Sequence, residues 1–172
     1  AVKELHELRS GELRIGCAKA LAQYLMPLVI SSFRDFYPKI KILLSEGSSD
    51  ELIKGVMAHQ FELAMVARMP YPDRIEVVPF SKDRVIVVAS PDSKLAGKGE
   101  VSLEELNDQP IICRDAGSAT RLAVFSAFEK QGLKLSAIVE SGNTEFIKDM
   151  VKKDEAYSFL SSICVRNEIK RE

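Results

Sequence analysis

Three stretches of this 172-residue sequence place small, hydroxyl and amide side chains where an apolar strand-like run gives way to a helical pattern. They are Gly47-Ser48-Ser49, Gly117-Ser118-Ala119-Thr120 and Ser141-Gly142-Asn143-Thr144. Small residues leave the first backbone N–H groups of a helix open, and a nearby hydroxyl or amide adds hydrogen bonds. Such a turn suits a carboxylate or a similar anion. Each turn taken alone equally suits plain N-capping. Three of them, each after a strand, point to a ligand held outside the carboxyl ends of an open parallel sheet.

Lys19, Arg114 and Arg121 lie close to such turns in sequence and could pair with an anion, or serve the surface or structural ion pairs. Cys17 closes the first strand and Cys113 lies inside a buried one, so both read as small apolar core residues. Cys164 has no comparable context. An odd number of well-separated cysteines forms no disulfide framework. His6 and His59 are the only histidines, and neither CxxC nor HExxH occurs, so no metal ligand set is present. Neither histidine sits in a Ser-His-Asp setting, and no phosphate-binding glycine loop is present. No cofactor is implied.

The elements that must position these residues alternate. Val2, Leu5 and Leu8 form a short amphipathic helix end, stopped by Ser10-Gly11. Residues 12–17 alternate as a strand. Leu21 to Phe36 carry a helical stripe, with Pro27 in its first true turn and Tyr37-Pro38 ending it. Residues 39–44 are a second strand, and Ser48 or Ser49 with Asp50 and Glu51 starts the next helix. Strands are predicted over 61–66, 75–80 and 84–89, the last buried on both faces. Residues 90–100, rich in Pro, Gly, Ser and Lys, mark the lobe boundary. Beyond it come a capped turn at 102–106, a strand at 111–113, a helix from 117 to about 131 and a strand at 134–140. A helix over 141–153, a strand at 157–160 and a last helix within 161–170 complete the pattern. The alternation implies an α/β fold with mainly parallel strands in two lobes.

Composition narrows the role. Twenty-four basic residues against 25 acidic ones give a net charge of −1, which argues against a dedicated nucleic-acid surface. Hydrophobic residues at 46% and charged residues at 28% fit an ordinary folded domain. No apolar run reaches membrane-spanning length, and the charged start lacks the apolar core of a signal peptide. A cytoplasmic chain with no membrane partner fits.

The order of residues resembles one family. Gly11-Glu12-Leu13-Arg14-Ile15-Gly16, Leu25-Met26-Pro27 with Phe33 and Tyr37-Pro38, and Glu46-Gly47-Ser48 with Leu63-Ala64-Met65-Val66 are similar to the effector-binding domain of LysR-type transcriptional regulators. So are Val87 to Pro91, Leu95-Ala96, Ser102 to Leu106 and Pro110-Ile111. The second half matches through Gly117 to Arg121 and through Glu140-Ser141-Gly142 with Ile147, Lys148 and Val151. The resemblance runs from residue 11 to near the end.

The resemblance implies two Rossmann-like lobes similar to type 2 periplasmic binding proteins, with an effector held between them. Residues 1–10 would be the end of a linker helix, 11–89 the first lobe and 90–172 the second. A C-terminal return to the first lobe would be missing, leaving a sheet edge exposed. It implies a homodimer, with Ser31, Asp35 and residues 120–131 as contacts, and DNA reached only through a separate winged helix-turn-helix. The effector would be a small molecule, an organic anion or an amino acid. Where relatives often offer hydroxyls, this chain reads Cys17-Ala18-Lys19-Ala20, so contacts there fall to backbone N–H groups and the Lys19 ammonium. The candidate ligand residues are Ala18, Lys19, Ala20, Ser48, Ser118, Thr120 and Asn143. The family usually carries Asp at Glu62, and a glycine-rich stretch at 153–157. An enzyme of the same fold type is the first rival, since Thr120-Arg121 is similar to the Thr-Arg pair of prephenate dehydratases. The second rival is a transporter's solute-binding protein.

Overall fold

A computed structural model of the chain describes residues 11–153 and 156–169. The helix end expected over residues 1–9 lies outside the described residues. Contacts divide the chain into two units, one ending at Val77 and the next beginning at Val78.

The first unit runs β1 (Gly11–Ala18), α1 (Lys19–Tyr24), α2 (Met26–Phe36), β2 (Ile40–Gly47), α3 (Ser49–Met57) and β3 (Leu63–Met65). Its three strands are ordered β2-β1-β3 and are all parallel. Alternation along β1 sends its two faces to different partners. Ile15 and Cys17, with Leu13 beside them, pack with Ala22, Met26 and Val29 of α1 and α2. Gly16 faces the other way, where a Cβ would come within 2.8 Å of Leu52 and 2.9 Å of Phe61. Glycine is therefore required for α3 to lie this close to the sheet. The helical stripe of residues 21–36 is broken into α1 and α2 at Leu25. Pro27 explains the break, because it has no N–H for an i−4 carbonyl and its ring would clash there. Across the edges of the sheet, Arg14 on β1 grips Glu62, which precedes β3, through Nε at 2.9 Å and its backbone N at 2.6 Å.

The second unit runs β4 (Val85–Ala89), α4 (Leu103–Asn107), β5 (Ile111–Arg114), α5 (Ala119–Lys130), β6 (Ala137–Ser141), α6 (Thr144–Lys153) and β7 (Tyr157–Ser161). A 3-10 turn (Ser162–Val165) and α7 (Arg166–Ile169) follow. The strand order is β4-β7-β5-β6, with β5 parallel to both neighbours and β4 antiparallel to β7. Leu106, Ile111, Cys113, Val124, Phe128 and Tyr157 form its core. Phe159 meets Phe128 and Tyr157 edge to face, at 6.0 and 5.7 Å between ring centres. Two fully buried hydroxyls find carbonyls: Tyr157 donates to Leu106 O at 2.9 Å and Ser158 to Ile112 O at 2.6 Å.

Two expectations are corrected. Residues 75–80 form no strand; they run unpaired, with Val78 76% and Phe80 64% exposed. An alternating pattern supplies the faces of a strand, but the ladder needs a partner, and none of the described residues provides one. The stretch over 84–89 is a strand, but it lies at the edge of its sheet and is only half-buried. Since β4 pairs with β7, the stretch at 90–100 is a surface excursion inside the second unit, where turn residues gather as readily as at a boundary.

Candidate functional site

In the first unit, Ala18 pairs with Gly47 across adjacent parallel strands, so the residues that follow each of them share one end of the sheet. β1 passes into α1 with no intervening loop. Ala18 is the N-cap, with no side-chain hydrogen bond, Lys19 is the first helical residue and Ala20 is buried. Ser48 caps α3 and is fully engaged. Its N–H and its hydroxyl donate to Glu51 Oε2 at 2.8 and 2.9 Å, while the Glu51 N–H donates back to the Ser48 oxygen at 3.3 Å. These bonds, the Ser48 backbone first and the charge of Lys19 among the lesser causes, hold the Glu51 carboxyl below the usual glutamate range. An anion reaching Ser48 therefore competes with a carboxylate of the chain itself. The same reciprocal box joins Ser102 to Glu105 at the start of α4, where it simply starts a helix. Beside α3 lies a groove of about 440 Å3, lined mainly by Ile53, Met57, Met69 and Pro70 with Asp50 and Lys54.

In the second unit, Arg114 at the end of β5 pairs with Ser141 at the end of β6, which brings the starts of α5 and α6 to one end of that sheet. Ser118 caps α5 by accepting from the Arg121 N–H at 3.5 Å, and it is buried. Thr120 is half-buried in the first turn, beside Cys113, Val124 and Phe125. Asn143 is exposed. Its N–H donates to Ser141 Oγ and its Oδ1 accepts from the Phe146 N–H, both at 3.1 Å. Next to it Thr144, only 3% exposed, has a hydroxyl with no hydrogen bond among the described residues.

The two arginines are engaged within the second unit. Arg121 binds Glu140 at 2.6 Å and Arg114 O at 3.0 Å, and it stacks on Phe125 at 4.7 Å. The Arg114 side chain is buried, with Nε 3.7 Å from Asp115 Oδ1. All three cysteines are free and buried. Burial pushes the Cys17 thiol up to about 12 and that of Cys164 to about 11, so neither is a reactive thiolate.

Two polar clusters were not legible as sites. Lys148 on α6 is 7% exposed, and its Nζ reaches Glu145 at 2.7 Å, Glu168 of α7 at 2.7 Å and the Cys164 carbonyl at 3.1 Å. The spacing Glu145-x-x-Lys148 is its single sequence signal. Asp83 accepts from the hydroxyls of Ser161 and Ser162, from the Arg84 N–H at 2.8 Å and from the Ile163 N–H at 3.4 Å. Burial pushes the Asp83 carboxyl up, but these donors outweigh it and hold the group low. Among the described residues no group of three or more His, Cys, Asp and Glu could hold a metal ion, and no helix is long and apolar enough to cross a membrane.

The family model for the LysR substrate binding domain matches residues 6–172. The HTH-type transcriptional regulator YeiE of Escherichia coli is 30% identical over 168 residues, covering 98% of this chain and 57% of YeiE. The HTH-type transcriptional activator CmpR of Synechocystis is 29% identical over 160 residues, covering 93% and 52%. The regulatory domain of Synechocystis CcmR, solved in complex with 2-PG, matches with a TM-score of 0.83 and 28% identity, covering 91% of this chain and 75% of that one. Reduced OxyR shares the fold, with a TM-score of 0.78 at 19% identity. The chain spans little more than half the length of the curated relatives it matches. The fold is thus that of the LysR effector-binding domains, similar to type 2 periplasmic binding proteins, and the chain belongs to the LysR substrate-binding-domain family.

Proposed function

We propose that this chain is the ligand-sensing part of a LysR-type transcriptional regulator and that its effector is a small organic anion or amino acid. The observation that carries the reading is the pairing, within each unit, of helix starts at the carboxyl ends of parallel strands. In the first unit the contacts are the backbone of Ala18 and Ala20, the Lys19 ammonium and Ser48. In the second they are Ser118, Thr120 and Asn143. Helix N-termini favour negative charge, and hydroxyl and amide groups set its orientation. The named regulators YeiE and CmpR and the 2-PG complex of the CcmR domain support a sensor. DNA contact belongs to a winged helix-turn-helix outside these 172 residues, in keeping with their net charge of −1. The effector acts by binding one arrangement of the protein better than another. The protein works in the cytoplasm and turns over no substrate.

Calorimetry against 2-PG, a panel of organic acids and the amino acids tests this. Saturable binding of at least one compound is expected; heats of dilution alone from the whole panel, or turnover of prephenate, would overturn it.

A homodimer belongs to the same proposal. Leu28 and Phe36 on α2 and Leu43 and Leu44 on β2 are exposed in the first unit, as are Leu122 on α5 and Ile138 on β6 in the second. Exposed apolar groups grouped on neighbouring elements mark association surfaces. Light scattering at high concentration should give twice the chain mass, and a monomer would count against this assignment.

A further inference from the structure

Polar contacts, linked by short pieces of backbone, lead from the first turn of α6 to the segment just after the point where the units divide. Asn143 fixes that turn by capping the Phe146 N–H at 3.1 Å. Glu145, in the same turn, holds Lys148 at 2.7 Å. Lys148 in turn donates to the Cys164 carbonyl at 3.1 Å, in the 3-10 turn, and to Glu168 on α7 at 2.7 Å. The 3-10 turn is fastened at its other end. The Ser162 N–H donates to Arg84 O at 2.8 Å, and Asp83 gathers the Ser161 and Ser162 hydroxyls and the Ile163 N–H at 3.4 Å. Asp83 and Arg84 lie six and seven residues beyond Val77, the last residue of the first unit.

A lysine this buried is costly to keep charged unless its donors are satisfied, and here three acceptors from three elements converge on one ammonium. A point charge with three donors can hold three elements together, which no apolar side chain in its place could do. We propose that Lys148 is a positioning residue that couples the first turn of α6 to the Asp83 clasp, so that a change at the candidate ligand turn is read out near the start of the second unit. Its purpose rests on the ligand-sensing reading. Its test contains no ligand, so it stands or falls apart from any effector.

The test is hydrogen exchange read by mass spectrometry on the purified chain, in a double-mutant cycle. Asn143→Ala loosens the first turn of α6 at an exposed position. Glu145→Ala, also at an exposed position, cuts the link to Lys148, and Lys148→Met removes the ammonium. Rates for residues 162–164 are taken relative to β5, which removes any change in global stability. Asn143→Ala is expected to speed exchange at 162–164 by about twofold or more, the size that measured couplings between sites take. In the Glu145→Ala and Lys148→Met backgrounds it should add nothing, and Lys148→Arg should restore part of the response. Unchanged exchange at 162–164 in Asn143→Ala overturns the proposal, as does a response that persists in either background. If Lys148→Met does not fold, Glu145→Ala alone decides.

Discussion

The start of α3 in the first unit and the start of α6 in the second have the same composition of small and polar residues, yet they are finished by different means. At α3 the hydrogen bonds that close the helix start are local. Ser48 and Glu51, three residues apart, satisfy each other, and the carboxylate sits where an incoming anion would sit. At α6 the cap is an exposed amide, the adjoining Thr144 hydroxyl is buried without a hydrogen bond among the described residues, and the turn is steadied from a distance through Lys148. A helix start closed by its own carboxylate is stable and indifferent to the rest of the fold. One steadied through Lys148, whose acceptors Cys164 and Glu168 lie 16 and 20 positions beyond it, responds to what those residues do. A local change should therefore travel further in the second unit than in the first.

The widest separation of the two should come from Lys148→Met. The charge-assisted hydrogen bonds from Lys148 to Glu145, Glu168 and the Cys164 carbonyl are lost, so the second unit should lose about 3 kcal/mol. Urea unfolding followed by exchange at β5 and at β1 would show the loss in β5; an equal loss in β1 would mean the units do not differ in this way. Gly55→Ala tests the first unit by packing instead. A Cβ there runs into the Phe61 ring, which carries α3 against β1, and overpacking of this kind costs about 2 kcal/mol. A stability unchanged within error would show that Phe61 moves aside freely.

The helix starts themselves should answer with opposite signs. Ser48→Ala removes a cap and should cost about 1 kcal/mol. Thr144→Val keeps the shape and removes a buried hydroxyl that has no hydrogen bond, so it should be neutral or gain about 1 kcal/mol. Equal losses at both sites would erase the distinction.

Acid should produce the smallest effect. Hydrogen bonds from Ser48 hold the Glu51 carboxyl low, and the hydrogen bond from Lys148 does the same for Glu168. A carboxyl that titrates lower folded than unfolded adds stability in full above its unfolded value, and the addition is lost as pH falls through its folded value. Stability should be level above about pH 5 and decline below it. Glu51→Gln should flatten part of that decline. A profile identical to that of the parent chain would show that Glu51 gains nothing from its cap.

What the sequence disclosed follows from the range of the interactions. The caps at Ser48, Ser102 and Ser118 are legible because cap and acceptor lie within three residues, and Gly132, at φ +73°, ends α5 for the same local reason. The core of β5 is legible because Ile111, Ile112 and Cys113 form an unbroken apolar run. The unpaired run at 75–80 was not, because its pattern is that of a strand while its state depends on a neighbour. Nor was the burial of Lys148, since a lysine in the sequence Phe146-Ile147-Lys148-Asp149 looks like one more residue of a solvated face. Its acceptors at 164 and 168 reach it only once β7 has turned the chain back. The Asp83 clasp spans about 80 residues and was hidden for the same reason.

The central claim is that the helix starts at the sheet ends contact a small effector. Its most direct test is calorimetry on the chain carrying Ser48→Ala together with Thr120→Ala, titrated with whichever compound binds the parent chain. At about 1.4 kcal/mol per tenfold in affinity, the loss of two hydroxyl contacts should weaken binding by about tenfold or more. Saturable binding with an unchanged dissociation constant would contradict the assignment.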